Sequence, residues 1–386
     1  MLKLLFPTVY QISAIRPLDE RKVLFVEVTS AALSNNFFLL LKSIKNNYHL
    51  PVRVHFLRTG FCNKWLYLWK CLRLVSDAAT AKYVFISDAS NIFGCIPIRR
   101  GSIFTQIWHG CGAFKRFGLS ASECSFGDDR EDLLRYPNYT YNTYMTVSSP
   151  SVIWAYSEAT GLPPDRIAAT GISRTDVFFD KNFHGKAFKN LRQVMPKADG
   201  KKVILYAPTF RGYTSHAQAP DRLSISLMFK QLSSTHVLLI KHHPLVRQRP
   251  EIPEKYSGFA RDVSDEMDIE ELLCVADICI TDYSSLIFEY SLLERPMLFF
   301  SYDLEEYYDW RGFFYDYREM VPGPILETTD DLTGAILHID EGFDRERVRR
   351  FKEYFMSSCD GNATERILDM VFSGKIKTRT PLGEDT

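Results

Sequence analysis

The sequence has no surplus of charge. Lys plus Arg number 47 and Asp plus Glu number 47, so net charge gives no ground for binding nucleic acid or another polyanion. It has eight cysteines (62, 71, 95, 111, 124, 274, 279 and 359) but no CxxC pair, and several lie in apolar runs such as LLCVADICI. That scatter fits reduced, buried thiols in a cytosolic protein and argues against a disulfide framework or a zinc site. No stretch approaches the roughly 20 uncharged apolar residues of a transmembrane helix. The N-terminal MLKLLFPTVYQISAIRPLDERK lacks a long apolar core followed by a small-residue cleavage site, and Pro7 breaks its one greasy run. The expected location is therefore cytoplasmic. One absence is local: Val28 to Ser76 contains no Asp or Glu, while Lys42, Lys45, Arg53, Arg58, Lys64, Lys70 and Arg73 fall inside it. This predicts a positive face on the N-terminal half.

At 386 residues the chain exceeds what one hydrophobic core usually holds, so two domains are expected. Eight β-rich runs recur with helical patterns between them: 23–28, 52–57, 83–87 and 103–108, then 203–208, 237–241, 277–281 and 297–301. Such alternation predicts an α/β protein of two doubly wound, Rossmann-like domains. Facing each other, they would line a cleft with their strand C-termini. The polar, Lys-rich stretch 179–202, with Pro196 and Gly200, separates the two sets of strands. The domains are accordingly expected at 1–190 and 191–373, followed by a solvated tail at 374–386.

Polar side chains follow four of these strands. After IFTQIW come His109, Gly110, Gly112, Lys115 and Arg116; after VILYAP come Thr209 and Arg211; after VLLIK, which ends on Lys241, comes His243; after DICIT comes Asp-Tyr-Ser-Ser. These are residue types that bind phosphate oxygens or move protons. Ser284 or Ser285 is a natural helix N-cap, and the same helix start also suits a phosphate. Glu289, one turn on, is placed either to meet a ribose hydroxyl or to face solvent. His109 is a candidate base beside a phosphate site, and His243 is a second candidate or a turn residue satisfied by backbone. Arg211 and Arg174 are phosphate clamps or partners of Asp176 and other acids. In the aromatic run 301–325, Arg311 offers a further guanidinium.

Taken in order, QIWHGCGAFKRFG, TGISRTDVFF, ILYAPTFRG, LLIKHHP, ADICITDYSSLIFEYSLLERPMLFFSYDLEEYYDWRGFFYD and PGPI resemble the CDP-glycerol glycerophosphotransferase family, which builds teichoic-acid and related polyol-phosphate polymers. The resemblance runs from about residue 103 to 325. It implies a two-domain GT-B architecture and transfer of a polyol phosphate from a CDP-activated donor to a hydroxyl of a lipid-linked or glycan acceptor, with release of CMP. By motif position it makes His109 and His243 the catalytic histidines. Arg211, Ser284, Ser285 and Arg311 then line the donor-phosphate site, where Lys241 and Glu289 join them, with Lys115 and Arg116 on the acceptor side. Trp-His-Gly-Cys-Gly at 108–112 stands where many members read Trp-His-Gly-Thr-Pro, and the chain begins without the long N-terminal extension of some polymerases.

No carboxylate cluster has convincing metal spacing. Positioning and electrostatics suffice in principle for phosphoryl-type transfer, so no protein-bound cofactor is expected. A Mg²⁺ ion brought in with the CDP donor remains compatible. The rival readings are a nucleotide-sugar transferase or epimerase of the same architecture and a non-catalytic protein at the membrane surface. A lipid-linked acceptor implies peripheral attachment to the inner face of an anionic membrane. In CNKWLYLWKCLRLV (62–75), helical spacing puts Trp65, Leu68, Trp69 and Leu72 on one face with Lys70 and Arg73 at its flanks. Packing of those aromatics against the sheet is the alternative.

Overall fold

The computed structural model describes residues 2–58, 63–125, 127–213 and 216–372, with backbone alone for 308–311. It divides into two compact units. The first is Met1–Asp176 together with the chain from Ser357 onward, and the second is Val177–Met356.

The first unit holds β1 (Asp19–Glu27), β2 (Val52–Phe56), β3 (Ala81–Ile86), β4 (Ile103–Gln106), β5 (Tyr144–Thr146) and β6 (Ile167–Ala168). They form one parallel sheet in the order β2-β1-β3-β4-β5-β6. A parallel sheet is covered on both faces, so its central strands read as unbroken apolar runs. Side chains alternate between the faces along each strand. Leu24, Val26 and Val84 therefore pack with Leu74, Val75 and Phe104, while Val23, Phe25, Tyr83 and Phe85 pack with Phe37 and Leu40.

The second core also takes Leu368 and Phe372 from the C-terminal helix Ala363–Phe372. Phe372 meets Tyr83 edge-on, with centroids 4.6 Å apart. Asp176 accepts the N–H groups of Ala363 and Thr364 at 3.0 and 2.7 Å, capping that helix. Gly171 has φ +83°, and a Cβ there would lie 2.1 Å from the Ser358 carbonyl oxygen. Only glycine admits so close a return of the chain.

The second unit holds β7 (Lys202–Tyr206), β8 (His236–Ile240), β9 (Ala260–Asp262), β10 (Ile278–Thr281), β11 (Met297–Phe300) and β12 (Ile325–Leu326). Its parallel sheet runs β12-β11-β10-β7-β8-β9. The boundary expected at 190/191 falls inside the helix Lys181–Val194. That helix packs against Ile269–Val275, with Lys186 Nζ 3.0 Å from Glu271. Its polar, Lys-rich character belongs to the solvent face of an amphipathic helix rather than to a linker. The tail at 374–386 lies outside the described residues.

The acid-free window is answered by the residue that ends it. Asp77 lies 2.8 Å from Lys22, 2.7 Å from Arg53 and 3.1 Å from His55, so one carboxylate offsets part of the positive face. Burial pushes its carboxyl up, but hydrogen bonds from Lys22 and Arg53 outweigh this and hold it below the usual range. Among the described residues no helix is long and apolar enough to cross a membrane.

Candidate functional site

In the first unit the loops after β1, β3 and β4 meet. His109 Nδ1 lies 2.8 Å from Asp88 Oδ1 and 3.3 Å from the Ser87 carbonyl. Both partners are acceptors, so Nδ1 carries the proton of the neutral ring and Nε2 keeps its lone pair. Asp88 is itself held, because Thr29 donates to its Oδ2 at 2.8 Å and Ser87 does so at 3.3 Å. Burial pushes the Asp88 carboxyl up, yet the hydrogen bonds from His109, Thr29 and Ser87 win and keep it below the usual range. Glu27, 1% exposed, sits behind this group and accepts the Ser34 N–H at 2.6 Å. Its carboxyl is pushed up by burial.

The backbone entering His109 is strained. Trp108 has φ +56°, a left-handed conformation that side-chain-bearing residues seldom adopt. Its N–H donates to Gln106 Oε1 at 3.3 Å, and Gln106 Nε2 donates to the Asp88 carbonyl at 2.9 Å. The indole is wedged between Phe117, at 5.1 Å between centroids, and His109, at 4.4 Å. Gly112 has φ +61° and donates its N–H to Ser148 Oγ at 2.8 Å. A proline, with φ near −65° and no N–H, fits neither condition, so the Cys-Gly variant carries a loop geometry of its own. Arg116 turns to Glu158, 3.9 Å away, and Lys115 is half-buried.

In the second unit the loops after β7, β8, β10 and β11 carry the remaining candidates. Arg211 is bidentate to Asp303, at 2.5 Å from Nε and 3.0 Å from Nη2. Its Nη1 lies 2.9 Å from Asp282 and donates to the Thr209 carbonyl at 3.1 Å. Tyr283, Tyr302 and Tyr307 surround the guanidinium at 5.3, 5.7 and 5.5 Å from their centroids. Burial works against its charge, but Asp282 and Asp303 prevail and raise its pKa further. Asp282 also takes the N–H and hydroxyl of Thr209 at 2.8 and 3.0 Å. Within Asp-Tyr-Ser-Ser, then, the acid ties loops together, Tyr283 is buried, and the serines face outward.

Ser285 is exposed and makes no capping bond to the helix Leu286–Ser291, while Ser284 Oγ accepts the Leu286 N–H at a long 3.4 Å. Glu289 is 3% exposed, so it is not a surface glutamate. Lys241 donates to the carbonyls of Ser264 and Met267, each at 2.7 Å, and burial lowers its pKa. His243 Nδ1 accepts the Leu245 N–H at 3.2 Å. That fixes the proton of its neutral ring on Nε2, the opposite tautomer to His109. Arg311 ends the helix Leu304–Arg311, and its side chain lies outside the described residues.

Sequence reading passed over Asp88, Thr29 and Glu27. The signal for Asp88 was available, since it follows β3 directly in YVFISD. Among the described residues no group of three or more His, Cys, Asp or Glu could hold a metal ion.

Each parallel sheet carries polar loops at its C-terminal strand ends, the place where open α/β sheets bind their ligands, and one of these loops presents a carboxylate-ordered histidine. The chain matches the CDP-Glycerol:Poly(glycerophosphate) glycerophosphotransferase family over residues 8–373, and it belongs to that family. It is 34% identical over 370 residues to a teichoic acid poly(ribitol-phosphate) polymerase of Bacillus spizizenii, covering 95% of this chain but only 58% of that protein. It is 32% identical to a teichoic acid ribitol-phosphate primase of the same organism, covering 97% of this chain and 96% of that one. Among solved structures it resembles the wall teichoic acid polymerase TagF with a TM-score of 0.78 and 21% identity, covering 95% of this chain and 92% of that one. A UDP-GlcNAc 2-epimerase from Neisseria meningitidis shares the fold at a TM-score of 0.57 and 12% identity, over 92% of this chain and the whole of that one. The family match and the relatives above 30% identity stand against the epimerase alternative.

Proposed function

We propose that this protein transfers a polyol phosphate from a CDP-activated donor to a hydroxyl of a teichoic-acid acceptor. The observation that carries the reading is the His109–Asp88 pair at 2.8 Å, which orders a half-exposed imidazole through Nδ1 and turns Nε2 to the acceptor. His109 Nε2 takes the proton of the acceptor hydroxyl as its oxygen bonds to the β-phosphorus. The bond from that phosphorus to the bridging oxygen breaks, and CMP departs with the electron pair. The second unit answers the donor. His243 and Lys241 supply N–H donors, Ser284 and Ser285 supply hydroxyls, and Glu289 and Arg311 are assigned to the same side. Arg211 acts there through its carboxylates, as a positioning residue. Lys115 and Arg116 are assigned to the acceptor.

The ribitol-phosphate relatives match at 34% and 32% over at least 95% of the chain. A glycerol-phosphate polymerase matches at 28% over the same share, which makes CDP-ribitol the first donor to try. Purified protein is incubated with CDP-ribitol, CDP-glycerol and UDP-sugars in the presence of acceptor. Release of CMP from a CDP-polyol is expected, and release of UDP from a sugar donor without CMP release would overturn the reading.

The same reading places the acceptor on a lipid at the inner face of an anionic membrane. On the helix Lys64–Ala78, Leu68 and Leu72 pack on the core, while Trp65 and Trp69 point outward at 81% and 53% exposure. The neighbouring helix Leu5–Ser13 exposes Ile12 at 63%. The tryptophans thus do not hold the helix to the sheet, and they suit an interfacial surface. Salt-sensitive sedimentation with anionic liposomes is expected, weakened by Trp65→Ser/Trp69→Ser and by Lys64→Glu/Lys70→Glu/Arg73→Glu. Sedimentation of either variant at the wild-type level would remove this surface from the reading.

A further inference from the structure

We propose that an open groove of about 540 Å³ in the second unit binds the phosphodiester-and-hydroxyl repeat of a polyol-phosphate chain, apart from the residues assigned above to transfer. The identity of this ligand rests on the function just proposed. One wall is the helix Arg345–Met356, and the other is the segment 315–320. The volume lies within the range of small-ligand sites.

The helix sorts its cations. Arg349 and Lys352 turn to Glu294, and Arg349 also meets Glu346 at 2.9 Å. Arg347 and Arg350, three residues apart and so on one face, line the groove instead. Arg347 Nη2 donates to the Val321 carbonyl at 2.8 Å. Arg350 is exposed and forms no hydrogen bond or ion pair with the described residues. The groove also holds Asp316 and Glu319, yet neither is paired with these arginines. Asp316 Oδ1 is engaged by the N–H groups of Arg318 and Glu319 at 2.8 and 3.2 Å. Tyr315 stands edge-on to Phe355 at 5.2 Å, and Tyr354 is 48% exposed.

Two arginines without carboxylate partners call for phosphate oxygens. Carboxylates on the facing wall repel a bare anion and accept from hydroxyls, and aromatic rings pack against C–H faces. Inorganic phosphate meets only the first demand, and a neutral sugar only the other two. A chain that alternates phosphodiester and polyol meets all three. The wall is also tied to the donor side. Tyr317, between Asp316 and Glu319, donates to the Asp282 carbonyl at 3.0 Å and lies 2.6 Å from Ser301 Oγ. The segment that shapes the groove thus braces the turn bearing Ser284 and Ser285.

The test titrates synthetic ribitol-phosphate and glycerol-phosphate tetramers into the full chain by calorimetry, without CDP donor. Inorganic phosphate and CMP serve as comparison ligands. Arg350→Gln/Tyr354→Ala alters two exposed side chains. It is expected to weaken tetramer binding at least about tenfold, while affinity for the CDP-polyol and CMP release with a single-unit acceptor stay within about twofold of wild type. Unchanged tetramer affinity in the variant overturns the proposal. So does a wild type that binds the tetramer no tighter than inorganic phosphate, or a variant that loses CMP affinity instead. Should no CDP-polyol yield CMP, the proposed reaction fails, and the tetramer titration still judges the groove by the same criterion.

Discussion

In the first unit His109 meets one carboxylate and keeps 47% of its side chain exposed; in the second, Arg211 meets two carboxylates and keeps 20%. Both follow a strand of a parallel sheet; the sequence made His109 a candidate base and Arg211 a candidate phosphate clamp. The difference lies in how much hydrogen-bonding capacity is left over. Asp88 fixes the neutral ring's tautomer through Nδ1, and Nε2 has no hydrogen-bond partner among the described residues. Asp282, Asp303 and Thr209 take most of the guanidinium's five N–H groups. On the proposed function, the singly held group performs the reaction and the multiply held one gives shape to the loops around it.

The largest effect that could break this comparison is on turnover. His109→Ala should lower kcat by about 10²- to 10⁴-fold, the usual worth of a general base, with donor binding and melting temperature retained. Asp88→Asn should cost at least about tenfold, in kcat rather than KM, because it disturbs the ring's orientation without touching substrate. A normal kcat in Asp88→Asn would show that the histidine does not depend on its carboxylate.

Next in size, Arg211→Met should destabilise the fold by about 3 kcal/mol or more in urea unfolding, since it strands Asp282 and Asp303. Arg211→Lys should recover only part of this, lacking the planar fork. Full stability in Arg211→Lys together with a tenfold higher donor KM would make Arg211 a direct phosphate ligand and erase the contrast.

Asp77 inverts the arrangement, with one acid among several cations. Its carboxyl is held below the usual range by Lys22 and Arg53. The stability it contributes is therefore full above the ordinary aspartate pKa of about 4 and is lost as pH falls through the lower folded value. Asp77→Asn should remove on the order of 1 kcal/mol at neutral pH and flatten the acid limb of the stability profile. An unchanged acid limb would show that these contacts do not stabilise the fold.

The smallest effect concerns the serines. Ser284→Ala/Ser285→Ala should raise donor KM several-fold while costing less than about 1 kcal/mol of stability, because the one capping contact is long. A large stability loss with normal kinetics would make them caps and nothing more.

The sequence alone determined the two-sheet α/β architecture. All eight expected strands form; seven lie inside their sheets, where strands covered on both faces read as apolar runs, and β2 is an edge strand legible from the alternation of VRVHF. The four it did not show, β5, β6, β9 and β12, are two or three residues long and bury too little to leave a pattern. Sequence also put His109, His243 and the serines at strand ends, since each follows a recognisable strand. Tertiary structure decided the rest. The return of Ala363–Phe372 to the first unit depends on contacts with strands hundreds of residues away, which local periodicity does not encode. The outward turn of Trp65 and Trp69 depends on which face of their helix meets the core. Whether Arg211 is free or saturated depends on Asp282 and Asp303, roughly 70 and 90 positions further on. Hydrogen-bond capacity is used up by neighbours in space, and sequence order does not reveal those neighbours until the chain has folded.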